Sequence, residues 1–346
     1  MKKKSLLMLA AVTPWILAGC NTGDNEAENN ENTLEVYTTV YPLQYFTEEI
    51  GGEYVSVETI YPPGADEHTF EPSQRDMIDL AEGDIFFYIG LGLEGFVDNA
   101  TDVLESEDLT MVAAADAITD EELEAGAHEH EEESAHDEEE HAEDEDHSHE
   151  DEHAHDEEEH AEEGHEGHNH GNTDPHVWLD PVLSQSLAES VKDTLIEKMP
   201  EQEAVFTENY ENLVERLDEL DHQFEELASD AELNQFFVSH AAYSYWESRY
   251  GIEQQAIAGI STTDEPSQRE LTELIESASE QNVEYLLVEQ NVSSNLTDVI
   301  QSEIGAETLP LHNLSVLTDE DIANEETYFS LMERNIESLG TAMRAE

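Results

Sequence analysis

Residues 128–170 cannot build a folded structure, and this decides how the rest of the chain is organised. The stretch holds 12 of the 17 histidines and 22 acidic residues, with no Lys, no Arg and no large apolar side chain. It has too little apolar surface to bury against the entropy of ordering a chain, so it is expected to be disordered. The folded part must therefore come from the sequence on either side. With 346 residues, at roughly 100–200 per domain, about two domains are expected.

Charge narrows the partners. The chain has 11 Lys and Arg against 87 Asp and Glu, a formal net charge of −76. Nucleic acid is excluded, because phosphate binding needs basic groups. The 12 Tyr, 10 Phe and 3 Trp suffice for a core outside the acidic tract. Acidity extends beyond the tract, as adaptation to a salty exterior would give, because salt screens self-repulsion.

Residues 1–19 read as a secretory signal: Lys2, Lys3 and Lys4 precede an apolar stretch from Ser5 to Gly19, short of the ~20 residues needed to span a bilayer. It ends Leu17-Ala18-Gly19-Cys20, and Cys20 is the only cysteine, so no intrachain disulfide can form. Small residues directly before a cysteine resemble a bacterial lipobox, which implies lipid on Cys20 and cleavage before it. An ordinary signal peptide with an incidental cysteine is the other reading. Residues 20–32 are polar and read as a lipid-anchored flexible tether.

The fold class expected is α/β: two β/α lobes with mainly parallel sheets, joined by a long rigid linker helix. The N-terminal lobe is predicted over 33–200, with the insertion inside it, the linker helix over 201–229, and the C-terminal lobe over 230–346. Strands are predicted at 34–40, 54–60, 84–90, 109–113, 235–238, 252–258 and 284–289. Helices are predicted at 42–50, 73–82, 94–105, 182–198, 241–250, 266–281, 294–304 and 325–344. In the linker, Phe206, Tyr210, Leu213, Leu217, Leu220 and Phe224 fall near one face. A continuous helix in this place implies limited hinge motion.

Five histidines lie outside the tract. His68 sits in the loop YPPGADEHTFEPS, His176 in DPHVWLDP, and His240 directly after the strand NQFFV. Ligands of open α/β sheets bind beyond the carboxyl ends of strands, where three such imidazoles can converge. Glu289 ends another strand and is a fourth candidate. A His₃Glu set suits zinc ahead of manganese, which leans towards oxygen ligands. Each of these histidines taken singly is more often structural or exposed, and His222 and His312 keep that reading. Asp174 and Asp180 flank His176, either to orient its ring or to cap a helix and shape a turn. Glu67 has a solvent-facing alternative, and Trp178 and Tyr243 read as packing residues that dry the cleft.

The segments PPGADEH, DPHVWLDP, VSHAAYSYW and LLVEQNVSS, with the lipobox, resemble the metal-binding lipoproteins of bacterial ABC importers for zinc and manganese. The likeness is strongest to the zinc-specific branch and covers residues 34–346. It implies metal in the cleft between lobes, bound by His68, His176 and His240. The manganese branch usually has Glu at the third place and Asp about four residues beyond Glu289, where this chain has Ser293. Glu289 is then expected as fourth ligand, with water as the other candidate. The resemblance also implies a membrane permease as partner, and a monomer is expected.

The tract carries four His-x-His pairs: His128 with His130, His147 with His149, His153 with His155, and His168 with His170. Residues i and i+2 of an extended chain project to the same side, so each pair can chelate weakly. A flexible coil of 43 residues spans on the order of 35 Å, enough to reach the cleft mouth and hand over an ion or cover it. A solvated spacer is the plainer reading.

These features lead to an extracytoplasmic Zn²⁺ receptor that serves an ABC permease. A manganese receptor of the same family is the near alternative. A zinc hydrolase, with Glu289 as base beside bound water, and a passive metal buffer or adhesin are alternatives of different classes.

Overall fold

The computed structural model describes residues 33–104, 106–124, 173–264, 266–290 and 295–345. Cys20 with the tether, and Ser293, lie outside the described residues. So do all eight auxiliary metal candidates of the acidic tract: His128, His130, His147, His149, His153, His155, His168 and His170. Among the described residues no helix is long and apolar enough to cross a membrane.

Two four-stranded sheets organise the molecule. The first contains β1 (Leu34–Thr38), β2 (Val55–Thr59), β3 (Ile85–Tyr88) and β4 (Thr110–Ala113), in the order β2-β1-β3-β4. The second contains β5 (Gln235–His240), β6 (Glu253–Ala258), β7 (Tyr285–Val288) and β8 (Glu307–Pro310), in the order β6-β5-β7-β8. All of these pairings are parallel. In each sheet the connections leave the central pair in opposite directions, so a crevice opens beyond its carboxyl ends.

The sequence explains the central strands. Ile85, Phe86 and Phe87 are fully buried, as expected for a short apolar run covered on both faces of a parallel sheet. The helices of the first lobe are α1 (Tyr41–Gly51), α2 (Gln74–Ala81), α3 (Val97–Leu104), α4 (Asp120–Glu124) and α5 (Pro181–Lys198). Asp180 starts α5: its side chain accepts from the backbone N–H groups of Val182 and Leu183, and Pro181 fills the first helical position, where its missing N–H costs nothing.

Helix α6 (Glu203–Asp230) joins the lobes. Its 28 residues make a rod about 42 Å long. Phe206, Leu213, Leu217, Leu220, Phe224 and Leu227 are its buried face, the stripe read from the sequence with Leu227 added and Tyr210 only partly buried. The second lobe adds α7 (Ser244–Tyr250), α8 (Gln268–Glu280), α9 (Asn295–Ile304), α10 (Asp319–Ala323) and α11 (Tyr328–Met343).

Three differences from the sequence reading stand out. The linker helix begins at Glu203 because Pro200–Gln202 forms a separate 3₁₀ turn. Strand β8 is absent from the sequence reading: ETLP is a short edge strand with little apolar signal. The single helix expected over 325–344 begins later, at Tyr328, because Thr327 caps it, and a separate short helix, α10, precedes it.

The main core runs through both lobes. It includes Val36 and Phe86 of the first sheet, Phe236 and Leu287 of the second, and Phe46 of α1 beside Tyr328 of α11, which in turn meets Phe329. A smaller cluster, with Phe237, Ile257, Leu286 and Ile300, packs separately. Polar bonds tie the lobes as well. The Tyr328 hydroxyl donates to the Trp178 carbonyl (2.9 Å), and the Trp178 indole N–H donates to the Asn313 carbonyl (2.7 Å).

Candidate metal centre

Three segments far apart in sequence bring their imidazoles together between the lobes. His68 comes from the loop after β2. The Asp66 side chain shapes that loop by accepting from the backbone N–H groups of His68 (3.0 Å) and Thr69 (3.1 Å), a local turn that Asp makes readily. Its other oxygen accepts from the Thr262 hydroxyl of the second lobe (2.7 Å). His176 precedes the 3₁₀ turn Val177–Leu179, and His240 is the last residue of β5. His176 and His240 are fully buried. The ring centroids lie 5.2 Å (His68–His176), 6.0 Å (His68–His240) and 5.1 Å (His176–His240) apart.

Carboxylates orient two of these rings from behind. Asp174 accepts from the His176 backbone N–H (2.9 Å), and its Oδ1 lies 2.7 Å from His176 Nδ1. The Ser244 hydroxyl holds the other Asp174 oxygen. Glu289 lies against His240 Nδ1 and also accepts from the hydroxyls of Tyr243 (2.6 Å) and Ser239 (3.2 Å). A carboxylate on Nδ1 fixes the proton there and leaves Nε2 with its lone pair. The two Nε2 atoms of His176 and His240 then face each other at 3.4 Å. Two lone pairs this close repel unless a cation lies between them. Adjacent nitrogens of a tetrahedral zinc site are about 3.3 Å apart, given Zn–N bonds of about 2.0–2.1 Å. Among the described residues His68 Nε2 is buried with no hydrogen-bond partner, a costly state for a polar atom unless something binds it.

Glu67 completes the group. One ligand atom from each of Glu67, His68, His176 and His240 lies within 4.8 Å of the others. Glu67 is only 2% exposed, which corrects the solvent-facing alternative. Its Oε1 accepts from the Asn313 side-chain amide (3.1 Å). Glu289, expected as fourth ligand, is not in this group, because its carboxylate is engaged behind His240. Asp174 takes the ring-orienting role, whereas Asp180 caps α5 and pairs with Arg249 (2.5 Å). Trp178 and Tyr243 are fully buried; the Trp178 ring stands edge-on to His176 at 5.3 Å.

His312 is structural: Nδ1 accepts from the Leu314 backbone N–H and Nε2 donates to Asp321. His222 is exposed on α6 beside Glu225. The auxiliary pairs of the tract, His128 and His130, His147 and His149, His153 and His155, His168 and His170, fall outside the described residues. Sequence reasoning missed Glu67 as a donor and Asn313 altogether. Glu67 had a signal, its position next to His68 in a Pro/Gly-bounded loop. Asn313 had none.

The buried groups of the centre are shifted in opposite directions. Burial, and then the nearby His176 and His240 rings, push His68 down to about 3, so it is neutral and able to bind metal. Burial pushes the Glu67 carboxyl up, against the pull of His176 and His240. Burial also pushes Asp174 up, but the His176 ring and the hydrogen bonds outweigh it and the net shift is downward. For His240, burial pushes down and the Glu289 carboxylate outweighs it, so the net shift is upward.

Fold and site together define a two-lobed α/β protein with a cluster of side chains that could hold a metal ion where the lobes meet. The chain belongs to the family described as zinc-uptake complex component A, periplasmic, which it matches over residues 36–342. It is 32% identical over 338 residues to the zinc-binding lipoprotein AdcA of Streptococcus pneumoniae, covering 97% of this chain and 60% of that protein. The chain thus spans about three-fifths of that relative's length. It is 29% identical to the high-affinity zinc uptake system protein ZnuA of Bacillus subtilis, covering 98% of this chain and 97% of that protein. The Zn(II)-bound ZnuA-like domain of S. pneumoniae AdcA has a similar structure, with a TM-score of 0.67 and 28% identity over 90% of this chain and 99% of the domain.

Proposed function

We propose that this protein is an extracytoplasmic receptor that captures Zn²⁺ between its lobes and delivers it to an ABC permease in the membrane. The observation that carries this is the meeting of three imidazoles between the lobes. Two have Nε2 atoms 3.4 Å apart, and the third has a buried Nε2 with no partner among the described residues. His68, His176 and His240 supply three ligands, and Glu67 supplies the fourth from the position it occupies. Three nitrogens and one carboxylate suit zinc ahead of manganese. Glu289 serves as the positioning carboxylate for His240 rather than as a base facing bound water, which removes the main support for a hydrolase. The protein acts as a monomer, held to the outer face of the membrane through lipid on Cys20. The paired histidines of 128–170 gather zinc at low affinity and pass it to the cleft.

Competitive metal titration by native mass spectrometry tests this, on the intact protein and on a 128–170 deletion. The deletion is expected to keep one tight zinc and lose the weak ones. His68→Ala, His176→Ala and His240→Ala are each expected to abolish tight binding and growth under zinc limitation. Tight binding that survives all three substitutions contradicts the proposal.

A further inference from the structure

Asn313 stands between groups of both lobes that surround the centre. It is 1% exposed and comes from the loop after β8, close to none of the ligands in sequence. Its side-chain amide donates to Glu67 Oε1 (3.1 Å). Its Oδ1 accepts from the Gln290 amide (2.7 Å) and from the N–H and hydroxyl of Ser315 (3.1 and 2.9 Å), and its backbone N–H donates to Gln290 Oε1 (3.2 Å). Its carbonyl accepts from Trp178, whose ring borders His176. Gln290 directly follows Glu289, which positions His240. One residue therefore connects the carboxylate donor from the first lobe to the supports of the other two rings.

This bonding fixes how Glu67 can approach an ion. An oxygen anchored to a buried amide cannot swing freely into the coordination sphere, so Glu67 is held to offer one oxygen. A carboxylate limited to one oxygen, beside three imidazoles, makes a four-coordinate site. Zinc accepts that geometry, whereas manganese prefers more ligands and more oxygen. We infer that Asn313 is a positioning residue that sets the zinc-over-manganese preference by keeping Glu67 monodentate. The inference rests on the reading of this cleft as a zinc site.

The test is a double-mutant cycle on the full chain, with a competing chelator chosen to read only the tightest site. Asn313→Ala is expected to lower the ratio of Zn²⁺ to Mn²⁺ affinity about tenfold, the scale of changes behind a metal ligand. In a Glu67→Gln background the same change is expected to have no further effect on the ratio. Cobalt-loaded Asn313→Ala should lose the intense visible absorption of four-coordinate Co²⁺. Asn313→Asp keeps the shape and the acceptor contacts but removes the N–H given to Glu67, so it should lower the ratio even if the alanine variant does not fold. A ratio unchanged in Asn313→Asp, or an equal effect of Asn313→Ala with and without Glu67, overturns the inference. Failure of the unsubstituted protein to bind zinc tightly, or tight binding that survives His176→Ala, instead refutes the zinc-site reading.

Discussion

His176 and His240 point their Nε2 atoms at each other across 3.4 Å, while Asp174 and Glu289 hold the opposite nitrogens of the two rings. The arrangement costs free energy when nothing lies between the rings and is relieved when a cation does. Each carboxylate acts through a ring, so changing one should weaken binding without deleting a ligand. Asp174→Asn and Glu289→Gln are each expected to weaken zinc about 10- to 100-fold, read by chelator competition. Unchanged affinity in both would show that ring orientation does not matter here.

His68 links the site to acid stability. Its pKa is pushed from an ordinary 6.5 down to about 3, by burial first and by the neighbouring rings second. Between those values the unfolded chain binds a proton at His68 and the folded protein does not. Metal-free protein should therefore lose stability as pH falls from about 6.5 towards about 3. His68→Gln should flatten that part of the profile, measured by chemical denaturation at a series of pH values. An identical slope in the variant would contradict this.

The two lobes share one core, so they should unfold together. Phe46 is fully buried and meets Tyr328 of α11 at 5.1 Å. Phe46→Ala should cost about 3–5 kcal/mol and shift one calorimetric transition as a whole. Two resolved transitions, with only one moved, would mean that the lobes are energetically separate.

At the rim of the cleft the Thr262 hydroxyl reaches across to Asp66 (2.7 Å), the residue that shapes the His68 turn. Thr262→Val removes this bond and keeps the side-chain volume. It should raise the zinc dissociation rate by about two- to tenfold, the equivalent of one ordinary hydrogen bond, as read by stopped-flow transfer to a chelator. An unchanged rate would show that the rim contact does not retain the ion.

Much of this was legible in the sequence because the signals are local. The apolar run at Ile85–Tyr88, the 28-residue amphipathic α6 and the Asp180-Pro181 helix start each follow from a few adjacent residues. The three histidines were legible because each sits at the end of a strand or in a Pro-bounded loop. The partners of the rings were not. Glu289 looked like a ligand because it ends a strand beside β5, but only the three-dimensional structure shows it against the Nδ1 side of His240. Glu67 had a solvent-facing alternative because it is charged and lies in a Pro/Gly loop, yet it is buried against Asn313 of the second lobe. Asn313 lies 246 residues from Glu67, and no pattern in the chain joins them.

The most direct test is a crystal structure of the zinc-loaded protein with the ion located by anomalous scattering. One ion is expected in the cleft, bonded to Nε2 of His68, His176 and His240 at about 2.0–2.1 Å. A cleft without zinc in protein that carries the metal elsewhere, or an ion there that touches fewer than all three of these rings, would contradict the account.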